Sequence, residues 1–254
     1  MTTPELPEYR KTGIPKNRNT EKPEYRKTGI PKNRNTEKPE YRYESNTEIP
    51  IGETTMIVTI ANAKGGVAKT TSAIYLAAAY ARRFEEGATV LDADPQSSAS
   101  LWRDMAEENG GWPAGTDVMP ANLSTLQRLA RAGHGGFAVV DAPPQGRLFE
   151  ESVKAADFVV VPTSDSPIDL QQAWATMNAI PDGKPGAVLI VRAEPRTRAF
   201  QATVAALDEA GTPRFDAVVC KRQDIKAGMG HSPDKLHEYP QVLGEIVEAM
   251  GARA

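Results

Sequence analysis

The sequence predicts an α/β fold, a mostly parallel β-sheet with helices on both faces. Two observations predict it. From Met56 onwards, short apolar segments alternate with longer segments of helical character, and three of the apolar segments end in polar motifs. When a helix joins two successive strands of one sheet, the strands are parallel and the connection is a right-handed crossover. Ligands then bind at the carboxyl ends of the strands, where the polar motifs fall.

Composition favours a single substantial globular domain. The chain has 254 residues, of which 40% are hydrophobic and 25% are charged, and its net charge is −3. The single cysteine, Cys220, excludes an intrachain disulfide and any metal site that needs several thiolates from one chain. No apolar run is long enough to cross a membrane, so we expect a soluble, cytoplasmic protein without membrane attachment.

The N-terminal region has a different character. Residues 7–38 contain the 16-residue unit PEYRKTGIPKNRNTEK twice, and a third copy begins at Pro39. Prolines, glycines and asparagines leave little to bury, so we expect residues 1–54 to be a disordered tail and residues 55–254 to form the folded domain. The basic residues of the tail could hold nucleic acid weakly, or the tail could be a solvated extension that grew by duplication.

The elements follow from the spacing of apolar residues and from glycine and proline. A strand at Met56–Ala61 precedes a helix at Lys69–Phe84, whose alanine-rich face suits packing on a sheet. We predict further strands at Ala88–Asp92, Asp117–Met119, Gly136–Asp141, Asp157–Pro162, Ala187–Arg192 and Phe215–Cys220. Helices are predicted through Leu101 and Trp102, at Leu123–Ala132, near 167–179 and 198–210, and at Gln241–Ala254.

The loop after the first strand has the form of a phosphate-binding loop. Its sequence KGGVAKTT joins a strand to a helix, so backbone N–H groups of the turn and of the first helical turn converge on an anion. The side chain of Lys69 can reach the β and γ phosphates of a nucleotide. The residues that we expect to bind the nucleotide are Gly65, Gly66, Val67, Ala68, Lys69, Thr70 and Thr71.

Two later strands end in aspartates. The motif DADPQ begins at Asp92, and VVDAPP contains Asp141. Hydrolysis of a nucleoside triphosphate needs a metal ion and a positioned water molecule. We expect Thr70 and Asp141 to hold Mg²⁺, with Asp92 close to the metal. Asp94 is the candidate that orients the attacking water, so Lys69 and Asp94 are the expected catalytic residues.

Together these motifs resemble the ParA/MinD family of dimerising ATPases over roughly residues 55–250. KGGVAKTT is similar to the deviant Walker A loop of that family, DADPQ to its A′ motif and VVDAPP to its Walker B motif. The segment from Phe158 to Ser164, followed by Asp169, resembles the next strand and helix start. The resemblance implies a P-loop NTPase fold, ATP and Mg²⁺ as cofactors, and a homodimer in the ATP state. By the same resemblance, Lys64 is the signature lysine that crosses to the phosphates of the partner and so acts in catalysis.

Within the family, the sequence favours the ParA branch. The C-terminal segment has one cation, Arg253, which does not suit a basic membrane helix, and one cysteine cannot supply the two per chain of nitrogenase iron proteins. The resemblance implies a plasmid partition ATPase that binds nonspecific DNA on the nucleoid and is released when a centromere-binding, ParB-like adaptor stimulates hydrolysis. A positioning ATPase for a protein cargo and a nonenzymatic nucleotide switch are the alternatives.

The DNA contacts implied by this reading come from basic residues after the last two strands. An ordinary solvated surface charge is an equally good interpretation of each one. Val191 stands where many relatives have a polar residue near the base, so recognition of adenine is implied by the resemblance alone. The candidates for DNA binding are Arg196, Arg198, Lys221, Arg222 and Lys226.

Overall fold

A computed structural model describes residues 56–251 of the chain. The predicted tail, residues 1–54, lies outside the described residues, as do the last three residues. The division of the chain into a tail and one folded domain therefore stays a prediction.

Seven parallel strands form the sheet, in the order β3-β2-β4-β1-β5-β6-β7. The strands are β1 (Met56–Ile60), β2 (Ala88–Asp92), β3 (Thr116–Pro120), β4 (Phe137–Asp141), β5 (Phe158–Thr163), β6 (Gly186–Ala193) and β7 (Val219–Cys220). The helices are α1 (Lys69–Phe84), α2 (Ser98–Glu108), α3 (Leu123–Ala132), α4 (Arg147–Ala155), α5 (Pro167–Asn178), α6 (Arg198–Glu209), α7 (Gln223–Lys226) and α8 (Tyr239–Gly251).

Helices cover both faces of the sheet, as predicted. Successive residues of a strand point to opposite faces, so Val58 and Ile60 pack with α1, α2 and α8, whereas Ile57 packs with α3 and α4. A third apolar cluster joins β5 and β6 to α5 and α6. Because both faces are buried, the central strands are continuously apolar, which is the pattern that made them recognisable in the sequence.

The predicted elements agree with the structure except at three places. One element that was not predicted is α4, a nine-residue helix that starts after Gly146 without a side-chain cap. Its signal was the recurrence of Phe149 and Val153 at helical spacing, and both pack into the cluster of β5 and β6. The short α7 was missed as well, because four residues are too few for a periodic pattern.

The predicted strand Phe215–Cys220 is wrong in extent. Only Val219 and Cys220 pair with β6, and Arg214 makes a single bridge to Val188. The physical reason is the half-buried carboxylate of Glu245 in α8, which accepts hydrogen bonds from the backbone N–H groups of Asp216 and Ala217, both at 2.8 Å. The side chain thus satisfies amides that a ladder would otherwise pair.

The C-terminal helix belongs to the core. Val242, Leu243 and Ile246 are buried, and α8 packs against α1. Among residues 56–251, we find no helix that combines the length and the apolar character needed to cross a membrane.

At Gly186, the first residue of β6, a side chain larger than hydrogen fits only if its neighbours move. A Cβ atom on Gly186 would lie 2.7 Å from Ile180 Cδ1 and 3.1 Å from the carbonyl oxygen of Val159. We expect Gly186→Ala to lower the free energy of unfolding by about 1–3 kcal/mol, since overpacking forces the neighbours to move. Urea denaturation measures this. Gly87→Ala is the control, because a Cβ there meets nothing within 4 Å; equal losses in both variants would contradict the packing argument.

Candidate nucleotide-binding and active site

The phosphate-binding loop runs from Ala61 to Ala68 and is fastened at its beginning. Asn62 donates from Nδ2 to the carbonyl oxygen of Pro162, at 2.8 Å, and its Oδ1 accepts from the backbone N–H of Lys64. The backbone N–H of Ala63 donates to Thr176 Oγ1 at 3.0 Å. Strand β5 and helix α5 therefore hold the loop in place before its glycines begin.

The second half of the loop has left-handed backbone at two positions. Gly66 has φ 76°, and Ala68, which caps α1, has φ 63°. This conformation costs an alanine about 1–2 kcal/mol, and such local strain is typical of functional loops. A Cβ atom on Gly65 or Gly66 would meet nothing within 4 Å. Space for an anion therefore lies directly over the backbone of the glycine pair.

Lys69 lies at the centre of this loop. Its ammonium donates to the carbonyl oxygen of Lys64 at 2.9 Å, and the residue is 7% exposed. Burial lowers the pKa of Lys69, although the carboxylates of Asp141 and Asp94 oppose the shift. A poorly solvated lysine at the first residue of a helix is well suited to bind the phosphates of a nucleotide.

The ends of β2 and β4 bring two carboxylates together. Asp92 and Asp141 are register partners, so the two residues are neighbours across the sheet, and Ile60 at the end of β1 pairs with Asp141 on its other side. Thr70 donates from Oγ1 to Asp141 Oδ2 at 2.6 Å. Burial raises the pKa of Asp141 to about 7, the Thr70 hydrogen bond opposes the rise, and the Asp92 charge adds to it. The site is therefore short of positive charge.

Both carboxylates have an oxygen without a partner. Ser100 donates to Asp92 Oδ2 from its backbone N–H, at 2.9 Å, and from its hydroxyl, at 2.8 Å. Asp92 Oδ1 and Asp141 Oδ1 are buried and accept no hydrogen bond. Two buried, unpartnered carboxylate oxygens beside a threonine hydroxyl suit a hard cation such as Mg²⁺, which prefers oxygen ligands.

The protein does not build a complete metal cage. In the part of the chain that the structure describes, no three His, Cys, Asp or Glu residues cluster closely enough to hold a metal ion. A magnesium ion at Thr70 and Asp141 would therefore take its remaining ligands from phosphate oxygens and water, which is its usual mode in nucleotide sites.

Asp94 lies close to the same group of residues. It is partly exposed, and its Oδ1 accepts from the backbone N–H of Gln96 at 3.0 Å. Its charge acts on both Lys69 and Asp141, which places it at the same end of the site. The structure thus brings Lys69, Thr70, Asp92, Asp94 and Asp141 together, as the strand-end motifs predicted.

Lys64 forms an ion pair with Asp169, near the start of α5. Asp169 also accepts a hydrogen bond from Ser164 at 2.6 Å, and its side chain is 11% exposed. Although burial opposes it, the hydrogen bonds from Lys64 and Ser164 hold the pKa of Asp169 below its usual value. From the sequence, Asp169 was expected only as part of a helix start, and its contact with Lys64 was not predicted. The only signal for that contact was an acidic residue in the first turn of α5.

A cavity of about 230 Å³ opens beside the phosphate loop, between α1, α2 and α7. Thr70 and Thr71 line it on the loop side, while the Trp102 ring, Ile225 and Met229 contribute apolar surface. The cavity therefore places hydroxyl groups of the phosphate loop opposite an apolar wall.

The five basic candidates lie in different surroundings. Arg196, Arg198 and Lys226 are exposed and have no carboxylate partner within the described range 56–251. Lys221 pairs with Glu194 at 2.5 Å, and both side chains are exposed. Arg222 forms a bidentate ion pair with Glu238, at 2.8 and 2.6 Å. Arg222 is thus already engaged within the chain.

A family model, the CobQ/CobB/MinD/ParA nucleotide binding domain, matches residues 58–233. The chain belongs to this family. The carboxysome distribution protein A of Gloeobacter kilaueensis is 36% identical over 171 residues, covering 64% of this chain and 76% of the relative. The same protein of Halothiobacillus neapolitanus is 30% identical over 177 residues, covering 64% and 78%.

Solved structures agree on the fold. A putative plasmid partition protein of Borrelia burgdorferi bound to AMPPNP has 18% sequence identity and a TM-score of 0.60, and the match covers 79% of this chain and all of that one. The predicted family and P-loop fold are therefore confirmed. The ATPase class and the cofactors ATP and Mg²⁺ are confirmed at the level of the family.

The role of Asp141 in holding the metal can be measured. Asp141→Asn keeps the shape of the side chain and removes its charge. We therefore expect the gain in ADP affinity on adding Mg²⁺ to be at least about tenfold smaller in this variant than in the wild type. Isothermal titration with and without Mg²⁺ checks this. Asp117→Asn, at an exposed carboxylate on β3, is the control; a full response to Mg²⁺ in Asp141→Asn would exclude the site.

Proposed function

We propose that this protein is a positioning ATPase of the ParA type. Its ATP-bound homodimer binds DNA without sequence preference, and hydrolysis that an adaptor protein stimulates releases it. The observation that carries the proposal is the meeting of Lys69, Thr70 and the unpartnered oxygens of Asp92 and Asp141 at the phosphate loop.

Each side chain has a defined task in that reaction. The loop N–H groups and the Lys69 ammonium bind the phosphates and neutralise their charge. The bound Mg²⁺ supplies further charge neutralisation at the transferred phosphoryl group. Asp141 accepts a hydrogen bond from the Thr70 hydroxyl and so keeps the oxygen of Thr70 turned towards the metal site. Asp94 orients the attacking water, and the cavity beside Thr71 receives the nucleoside half of ATP.

Lys64 links nucleotide binding to dimer formation. Within one chain it is fastened to Asp169, so it must leave this ion pair before it can reach the phosphates of a partner. The pair is partly exposed, because the Lys64 side chain is 38% accessible, and such pairs contribute about 1 kcal/mol or less. The phosphates of the nucleotide bound to the partner carry several negative charges, so they can displace the single carboxylate of Asp169 from this lysine.

DNA binding would use the exposed cations near the ends of β6 and β7. The chain carries a net charge of −3, so attraction to DNA has to come from a local patch such as Arg196, Arg198 and Lys226. Contacts of this kind reach phosphates and carry no sequence information, which suits a protein that uses DNA as a track.

The cargo divides two candidate functions. Plasmid partition follows from the ParA-type motifs, whereas similarity to two carboxysome distribution proteins, at 36% and 30% identity, favours a protein assembly. Deletion of the gene in its own cells separates them. Loss of a plasmid from daughter cells supports partition, and clustering of a protein assembly with normal plasmid inheritance supports protein positioning.

Lys69→Ala tests the nucleotide site. Because the variant loses a charge-assisted contact to the phosphates, we expect the affinity for ATP to fall by about a hundredfold. Equilibrium binding of a fluorescent ATP analogue measures it. Lys154→Ala removes an exposed lysine on α4 that pairs with Glu151 and serves as the control. Unchanged affinity in Lys69→Ala would refute the assigned site.

Asp94→Ala tests the hydrolytic step. Without a carboxylate to orient water, phosphate release should slow by about a hundredfold or more, while ATP binding persists. The ATP-bound dimer should then remain on DNA, which surface plasmon resonance detects as a longer residence time. Asp104→Ala, at an exposed position of α2, controls for the loss of charge. Turnover at the wild-type rate would remove Asp94 from the mechanism.

A further inference from the structure

Arg222 and Glu238 form a two-pronged ion pair at the surface beside β7. Arg222 lies between β7 and α7, and Glu238 directly precedes α8. Nη1 of the guanidinium donates to Oε2 at 2.8 Å, and Nη2 donates to Oε1 at 2.6 Å. The two side chains are 32% and 22% exposed. Both terminal nitrogens of Arg222 are therefore directed at one carboxylate that solvent can still reach.

The chemistry of this pair is that of a phosphate contact. A guanidinium fork binds a carboxylate and a phosphate with the same parallel pair of N–H···O bonds. Glu238 thus engages one N–H group of each terminal nitrogen and competes for the end of the guanidinium that Arg222 would offer to DNA. Exposed Lys226 lies four residues further along the same segment, so a backbone phosphate that approaches α7 meets one available cation and one that is engaged.

We propose that Glu238 is an internal competitor for DNA phosphate at Arg222. Binding of DNA exchanges the carboxylate for a phosphate, and the displaced Glu238 remains nearby as a negative charge that weakens the complex. The proposal rests on the proposed function, since it concerns the affinity of the DNA-bound state. It identifies Glu238 as the residue that limits DNA affinity, and it gives the Arg222 surface a specific partner, the sugar-phosphate backbone.

Neighbouring charges show why this pair, and not another, sets the limit. Lys221 and Glu194 are 61% and 49% exposed, so water and salt screen their attraction. Asp224 faces His237 at 2.9 Å and forms no contact with Arg222. The bidentate geometry makes Glu238 the stronger rival of an incoming phosphate, although partial exposure keeps the pair weak enough to be displaced.

The test is DNA binding by Glu238→Gln in the presence of ATP, measured by fluorescence anisotropy at several salt concentrations. Affinity should rise severalfold, and the slope of log affinity against log salt should steepen by about one for each arginine that becomes available. Arg222→Ala should bind more weakly than the wild type. In the double variant Arg222→Ala with Glu238→Gln, the gain from the glutamine should shrink to that of removing one neighbouring negative charge, which Asp224→Asn measures.

Two controls separate this competition from a simple change of net charge or a structural role. Asp224→Asn removes one neighbouring negative charge that does not contact Arg222. It should therefore change the affinity for DNA much less than Glu238→Gln does. An equal gain in Asp224→Asn, or an undiminished gain in the double variant, would overturn the proposal. The proposal would also be overturned if Glu238→Gln and Glu238→Ala bound DNA no more tightly than the wild type while both kept wild-type stability in urea. Absence of ATP-dependent DNA binding in the wild type would instead refute the proposed function itself.

Discussion

The register of three parallel strands is the constraint on which the site depends. Because β1, β2 and β4 end level with one another, Asp92, Asp141 and the start of the phosphate loop meet at one edge of the sheet. A shift of one residue in β2 would turn Asp92 to the other face and bury it among the apolar side chains beneath α3. The continuous burial of β1 and β4 makes such a shift costly. The apolar core therefore holds the chemistry in position, although it takes no part in it.

The carboxylates at this edge are kept at an energetic cost. Burial destabilises the charged form of Asp141 and raises its pKa to about 7. The negative charge of the nearby Asp92 repels that charged form as well. A structural role would have paired these oxygens, as Ser100 pairs one oxygen of Asp92. Burial without complete satisfaction is instead what a cation site requires, since the ion supplies the missing positive charge. The stability lost here is recovered when nucleotide and metal bind.

Periodicity and strand-end motifs predicted most of the fold and the centre of the site. The apolar runs identified every strand, and the order of the three motifs placed Lys69, Asp94 and Asp141 together. Contacts between elements distant in the sequence could not be predicted. Glu245 shortens β7 by taking two amides across the surface, and Asp169 holds Lys64 from 105 residues away. Such pairs depend on where side chains meet after packing, which a local pattern does not contain.

The same arrangement recurs at the cations that the function would use. Lys64 is held by Asp169, Arg222 by Glu238, and the Lys69 ammonium by the carbonyl oxygen of Lys64. Binding a phosphate at any of them is thus an exchange of one oxygen acceptor for another, and the free energy gained is the difference between two similar contacts. Small differences make each step reversible. On the function proposed above, that balance suits a cycle in which nucleotide and DNA are bound and released in turn.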